Sequence, residues 1–215
     1  MTTRPDDLIL TTTGQDFSGN GRILLIACGA IAREVLAVIR GNGWDHIDLT
    51  CLPAILHNSP EKITDAVRKT VSDRSGAYDR TYVLYADCGT GGLLQKACEE
   101  LGIEMLAGPH CYSFFEGNDR FASHADDEIT AFYVTDFLVR QFDAFVVRPL
   151  GLDRHPELRD MYFGNYEKLV YQAQTEDPEL DEKAKNCAKI LGLAYERRGT
   201  GLGDLKTSLE AWIDP

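Results

Sequence analysis

The chain has 215 residues, 44% apolar and 26% charged, enough for a well-buried globular domain. Lys and Arg number 22 against 34 Asp and Glu, a formal net charge of -12 that repels phosphate backbones and anionic membranes and so speaks against nucleic-acid and membrane partners. No apolar run approaches the ~20 residues of a membrane span, and the opening MTTRPDDLILTTTGQDFSGNGR has no basic stretch leading into an apolar core, so a cytoplasmic protein is expected.

Residues 1–21 are polar and rich in Thr, Asp and Gly. They read as a tail, with one short edge strand at Leu8-Ile9-Leu10. Arg22 to Cys28 is a near-continuous apolar run, the pattern of a strand buried on both faces. Ala30 to Arg40 is helical, with Ile31, Val35, Val38 and Ile39 on one side. After the turn GNGWD, His46 to Leu52 is a second strand. Ser59 and Pro60 then open a helix as cap and first residue. Thr81 to Ala86 is a third strand, Gly92 to Leu101 a helix and Gly102 to Leu106 a fourth strand.

In the second half, Asp126 to Val147 has apolar spacing suited to one long helix, on which Asp136 and Arg140 read as a surface pair. HPELRDMYFG is a short helix and Glu167 to Gln172 a fifth strand. Pro178 to Leu191 is a helix stopped by Gly192, and Leu193 to Arg197 a sixth strand. GTGLGDLKTSLEAWI turns into a terminal helix. This alternation predicts an α/β domain over residues 22–215: a mostly parallel sheet with helices on both faces, a Rossmann-like three-layer architecture. Strand C-termini then share one edge, where ligands bind.

Six cysteines occur and no C-x-x-C pair, so neither a disulfide framework nor a zinc ribbon is indicated. Cys28 ends the first strand, Cys88 the third, and His110-Cys111 follow the fourth; His57 lies just past the second. Three thiols and an imidazole at matching strand tips are a metal-ligand set. Cys28, Cys88, Cys111 and His57 would hold zinc or an iron-sulfur cluster with one position open for substrate. Core packing is the plain alternative for each cysteine, and the expected role of Cys51, Cys98 and Cys187. Cys88 and His110 are the expected catalytic pair. Gly89, Gly91 and Gly92 could turn backbone N–H groups toward a bound anion, or only permit a tight turn. His46, His124 and His155 read as surface or structural residues. CGAIAR lacks the G-x-G-x-x-G spacing of dinucleotide sites, and no phosphate-binding G-x-x-x-x-G-K-[ST] loop or G-x-S-x-G elbow is present.

LIACGAIARE, LPAILHNSPEKI, YADCGTGGLL, GPHCYSFFEG, FYVTDFLVRQFD, GLDRHPELRDMYFGNY and ERRGTGLGDL together resemble the 1638 family of domains of unknown function, from about Arg22 to the C-terminus. Members of that family are often encoded near corrinoid-dependent methyltransferases and their corrinoid proteins. The resemblance therefore implies one-carbon or methyl-transfer metabolism, with a corrinoid as a further cofactor and a corrinoid protein or methyltransferase as partner. The leading expectation is a metal-binding enzyme acting on a small molecule. The alternatives are a non-catalytic corrinoid or metal carrier, and a metal-free enzyme with Cys88 as nucleophile.

Overall fold

The computed structural model describes residues 4–124 and 126–213. Two compact units divide the chain. Unit 1 runs to Cys111 and resumes at Leu205; unit 2 is Tyr112–Asp204. Each has its own sheet, where the sequence reading places all six strands in one.

Unit 1 begins with α1 (Asp7–Thr12) and β1 (Gln15–Phe17). Asp6 caps α1, accepting from the backbone N–H of Leu8 at 2.9 Å and of Ile9 at 3.0 Å. Leu10 and Phe17 are fully buried, so this segment is part of the fold rather than a tail. Leu8-Ile9-Leu10 is helical; the edge strand lies further on, at β1. The chain then alternates: β2 (Ile23–Cys28), α2 (Ala32–Gly41), β3 (Ile47–Leu52), α3 (Ile63–Asp73), β4 (Arg80–Leu84), α4 (Leu93–Leu101) and β5 (Glu104–Met105). Every residue of β2 is buried, as its unbroken apolar run requires. Each Ile or Leu sealed there contributes about 1.5–3 kcal/mol.

The sheet order is β1-β3-β2-β4-β5. β1 pairs antiparallel with β3, and every other pairing is parallel. The chain therefore runs from β2 to β3 on one side, then crosses back over β2 to lay down β4 on the other. That reversal falls between the C-terminal ends of β2 and β4, the crossover position at which ligands of such sheets bind. Gly29 sits at the tip of β2, where an added Cβ would lie 2.3 Å from the Leu10 carbonyl oxygen. Only glycine allows the two backbones so close.

Unit 2 holds α5 (Cys111–Glu116, its first residue counted with unit 1), α6 (Asn118–Ser123), β6 (Ala131–Thr135), α7 (Asp136–Arg140), α8 (Arg159–Phe163), β7 (Lys168–Ala173), α9 (Pro178–Leu191) and β8 (Ala194–Gly199). β6, β7 and β8 form an all-parallel sheet in that order. The long helix expected over Asp126–Val147 is instead β6, then α7, then a π-helical turn at Asp143–Val147. The β-branched and aromatic run Phe132-Tyr133-Val134-Thr135 favours a strand, and its pairing with β7 decides the matter. Asp136 is correspondingly no surface residue. It is fully buried and accepts from the Tyr171 hydroxyl at 2.8 Å, the Gln174 N–H at 3.0 Å and the Thr175 hydroxyl at 2.6 Å.

Val134, Leu169 and Tyr171 face an apolar core shared with α9 through Ala184, Cys187 and Leu191. The opposite strand face is charged. Arg198 binds Glu128 through both guanidinium nitrogens and reaches Glu196 at 2.6 Å and Glu116 at 3.3 Å. Lys168 bridges Glu128 and Glu196 at 2.8 and 2.7 Å. His124, expected as a surface or structural residue, has the structural role and lies 3.0 Å from the buried carboxylate of Glu116. The chain re-enters unit 1 through α10 (Gly203–Ile213). There the Trp212 ring stacks on Tyr82 at 4.8 Å, and the Trp212 carbonyl accepts from Tyr82 and Arg80 at 3.1 Å each.

Candidate active site

In the parallel pairing of β2 with β4, Ala27 stands beside Leu84. One residue further along, Cys28 and Tyr85 reach the crossover position together. Past Tyr85 the chain enters Asp87-Cys88-Gly89-Thr90-Gly91-Gly92, and the Asp87 carboxylate organises this turn. It accepts from the Gly92 N–H at 2.7 Å, the Thr90 hydroxyl at 2.9 Å and the Gly91 N–H at 3.2 Å. These donors, that of Gly92 above all, hold Asp87 below the usual carboxylate range against the opposing effect of burial. The N–H groups of Gly91 and Gly92 are therefore engaged within the turn, which bears on the anion role considered for Gly89, Gly91 and Gly92.

Cys88 is the one non-glycine among the described residues with positive φ, at 48°. For a side-chain-bearing residue that conformation costs about 1–2 kcal/mol. The turn enforces it, because the Asp87 and Cys88 N–H groups donate to the Gly108 and Pro109 carbonyls at 3.0 and 2.9 Å. Strain of this kind gathers where a side chain must be aimed. Cys88→Gly should raise the melting temperature by about 2–4 °C, equivalent to about 1 kcal/mol for a chain of this size, while removing the thiol; thermal unfolding checks it.

The same two hydrogen bonds bring the 108–111 segment to the turn. His110 is half-buried; burial pulls its pKa down, opposed by Asp87 and reinforced by His57. Cys111 opens α5, also half-buried. His57 sits on a 3-10 turn, Ala54–Asn58, just after β3. Its Nδ1 lies 3.2 Å from the Ala54 carbonyl oxygen and 3.6 Å from the Cys28 sulfur. Its ring stacks on Tyr85, with centroids 6.1 Å apart and planes within 13°. Cys88 is its other thiol neighbour. Burial works to lower the His57 pKa, but Cys88, with the Ala54 carbonyl, raises it above the ordinary imidazole value. Cys28 differs: burial pushes its thiol up to about 12, against the Ala30 N–H (3.3 Å from its sulfur) and Tyr85.

The crossover position thus gathers Cys28, His57, Tyr85 and Cys88, with His110 within electrostatic reach. Two thiols beside an imidazole are donors suited to a soft ion. A sulfur and a nitrogen bound to one tetrahedral zinc would stand about 3.6 Å apart, given bonds of about 2.3 and 2.0 Å. The Cys28–His57 spacing meets that. The full set does not close: among the described residues no group of three or more His, Cys, Asp or Glu forms an arrangement that could hold a metal ion. Cys28, Cys88, Cys111 and His57 are thus not gathered as one ligand shell. Tyr85 has no role assigned from sequence, where it falls inside the strand expected over Thr81 to Ala86; its place beside Cys28 at the strand tip is the available signal. Cys51, Cys98 and Cys187 are buried, as expected of core residues.

Fold and site together define an α/β protein with a thiol–imidazole pair at the C-terminal edge of a mostly parallel sheet. The chain belongs to the family described as Protein of unknown function (DUF1638), whose model matches residues 51–209. No curated protein and no solved structure matches it. Among the described residues no helix is long and apolar enough to cross a membrane.

Proposed function

We propose that this protein is an enzyme of covalent thiol catalysis, with Cys88 as nucleophile and His57 as its proton carrier, acting on a small molecule. The carrying observation is the placement of the His57 imidazole beside Cys88, a cysteine held at φ 48° on the turn between β4 and α4. A nucleophile beside a base that a third group orients is the recurring design of such sites, and the Ala54 carbonyl is that third group. Unit 1's sheet reads as the doubly wound, Rossmann-like kind, with the pair at its crossover position. In the reaction, His57 holds the proton from the Cys88 thiol. The sulfur forms a bond to an electrophilic carbon, and the leaving atom departs with its electron pair and takes the His57 proton. A second nucleophile, water or an acceptor amine or thiol, then reaches the same carbon, gives its proton to His57 and releases the Cys88 sulfur.

The test is site-resolved alkylation. Limiting iodoacetamide followed by peptide mass spectrometry should modify Cys88 ahead of the other five cysteines. Exposure alone favours half-buried Cys111 over Cys88, which is 8% exposed, so Cys111 reacting first would remove Cys88 from the role.

A second reading, a zinc ion or iron-sulfur cluster first taken by Cys28 and His57, with Cys88 and Cys111 drawn in only on binding, is favoured by the 3.6 Å sulfur–nitrogen spacing. Methyl transfer belongs with this reading, because a methyl group on a bare cysteine is a thioether and leaves poorly. Metal counting on anaerobically purified wild type and Cys88→Ala separates the two: metal in the first and none in the second favours the ion. The corrinoid, whether as cofactor, as cargo of a non-catalytic carrier or through a corrinoid protein or methyltransferase partner, rests on the family's company alone.

A further inference from the structure

We infer that the Tyr85 hydroxyl is the electrophilic donor of this site, and that the substrate is a carbonyl compound, an acyl donor, whose oxygen it receives. The inference rests on the covalent-thiol reading above and names its substrate class.

A sulfur that attacks a carbonyl carbon leaves a developing oxyanion, and the site must present it with a donor. Backbone N–H groups of the nucleophile's own turn often serve. Here those of Gly91 and Gly92 are already committed to Asp87, at 3.2 and 2.7 Å. Tyr85 offers what they do not. Its side chain is 1% exposed, yet no oxygen or nitrogen partner meets its hydroxyl. It lies against Cys28, whose thiol is a weak acceptor. A buried hydroxyl left in this state is a cost to the fold, and a native protein carries few of them. The hydroxyl lies within electrostatic reach of both Cys28 and Cys88, and the ring below it is fixed by stacking on His57. Burial first, then the neighbouring thiols, raise its pKa well above the ordinary phenol value, so it remains a neutral donor throughout the working pH range.

The chemistry balances. The Cys88 sulfur forms the S–C bond as the C=O π pair moves onto oxygen, where the Tyr85 O–H stabilises it. Collapse restores the C=O and breaks the bond to the leaving group, which takes the His57 proton and leaves a thioester. Water or an acceptor nucleophile repeats the sequence and expels the Cys88 thiolate. A thioester, unlike a thioether, releases sulfur readily, so the cycle closes without a further reagent.

Tyr85→Phe removes only the oxygen. With p-nitrophenyl acetate as acyl probe, and Cys88→Ser as background, the acylation rate should fall about 10²-fold, the loss typical of one oxyanion donor. Alkylation of Cys88 by iodoacetamide, which builds no oxyanion, should stay within about 2-fold. The melting temperature should hold or rise, because an unsatisfied buried hydroxyl is gone. Acylation and alkylation falling together, acylation unchanged, or a melting temperature lowered by several degrees would each overturn the assignment to Tyr85. If instead Cys88 of the wild type does not alkylate ahead of Cys111, the underlying thiol reading fails and not this inference alone.

Discussion

A Cys88→Ser protein should lose turnover by on the order of 10⁴-fold or more, since removing the nucleophile of such a pair removes the covalent route itself. It should also change how His57 titrates. In the wild type, burial lowers the His57 pKa while Cys88 and the Ala54 carbonyl raise it, with a net rise above 6.5. A serine hydroxyl stays neutral, so burial prevails and His57 should titrate below the ordinary imidazole value; histidine NMR from mildly acid to mildly alkaline pH reads the reversal. The stability linkage follows the same sign. A raised folded-state value means that wild-type His57 contributes stability fully present below its unfolded pKa, lost as pH rises through the folded one. In the serine variant the contribution is absent or inverted, so the two stability–pH curves should converge on the alkaline side. A His57 that still titrates above the ordinary value in the Cys88→Ser protein would mean that the ring does not sense Cys88.

Arg198→Met should destabilise unit 2 by about 3–5 kcal/mol, the usual consequence of leaving a buried carboxylate without its guanidinium. Arg198 is the cation shared by Glu116, Glu128 and Glu196, and the Glu116 side chain is 1% exposed. Arg198, first among the causes and ahead of opposing burial, then Lys168 and Tyr133, holds the Glu128 carboxyl far below the usual carboxylate range. A depressed value places the stabilisation above the unfolded pKa and removes it only as pH falls toward the folded one. The wild type should therefore begin to lose this stabilisation in mild acid, and the deficit of the Arg198→Met protein should narrow there, because a carboxylate left unpaired can take up a proton. Urea unfolding at neutral pH and near pH ~4 checks both points, and adding Glu128→Gln should recover part of the loss. An Arg198→Met protein unchanged within about 1 kcal/mol would reduce the network to solvated surface charge.

Much of unit 1 was legible residue by residue. The apolar run of β2, the Pro60 start and the glycine-rich turn after β4 each carry a local signal that tertiary packing reinforces. So was the approach of His57 to Cys28 at the ends of neighbouring parallel strands, whereas Cys28, Cys88, Cys111 and His57, expected together, form no single metal-holding group among the described residues. What escaped depended on partners distant in the chain. Asp6-to-Phe17 looks polar in sequence because only a few of its residues are buried, and β1 becomes a strand only by pairing with β3. Phe132 to Thr135 fits a helical spacing as well as a strand; register with β7 chooses. Asp136 looked exposed because its hydrogen-bond partners lie on other elements. Tyr85 was passed over because an aromatic in a strand is ordinarily packing, and only its unmet hydroxyl distinguishes it.

The excursion of the chain into unit 2 between Cys111 and Leu205 sets the timetable of biosynthesis. Unit 2 is contiguous and has all its residues as soon as position 204 clears the ribosome. Unit 1 waits: Tyr82 and Arg80, translated long before, gain their Trp212 partner only when α10 emerges. The thiol-bearing sheet edge is thus made early but its domain is finished late, and a nascent chain stalled before α10 would present it on an incomplete fold.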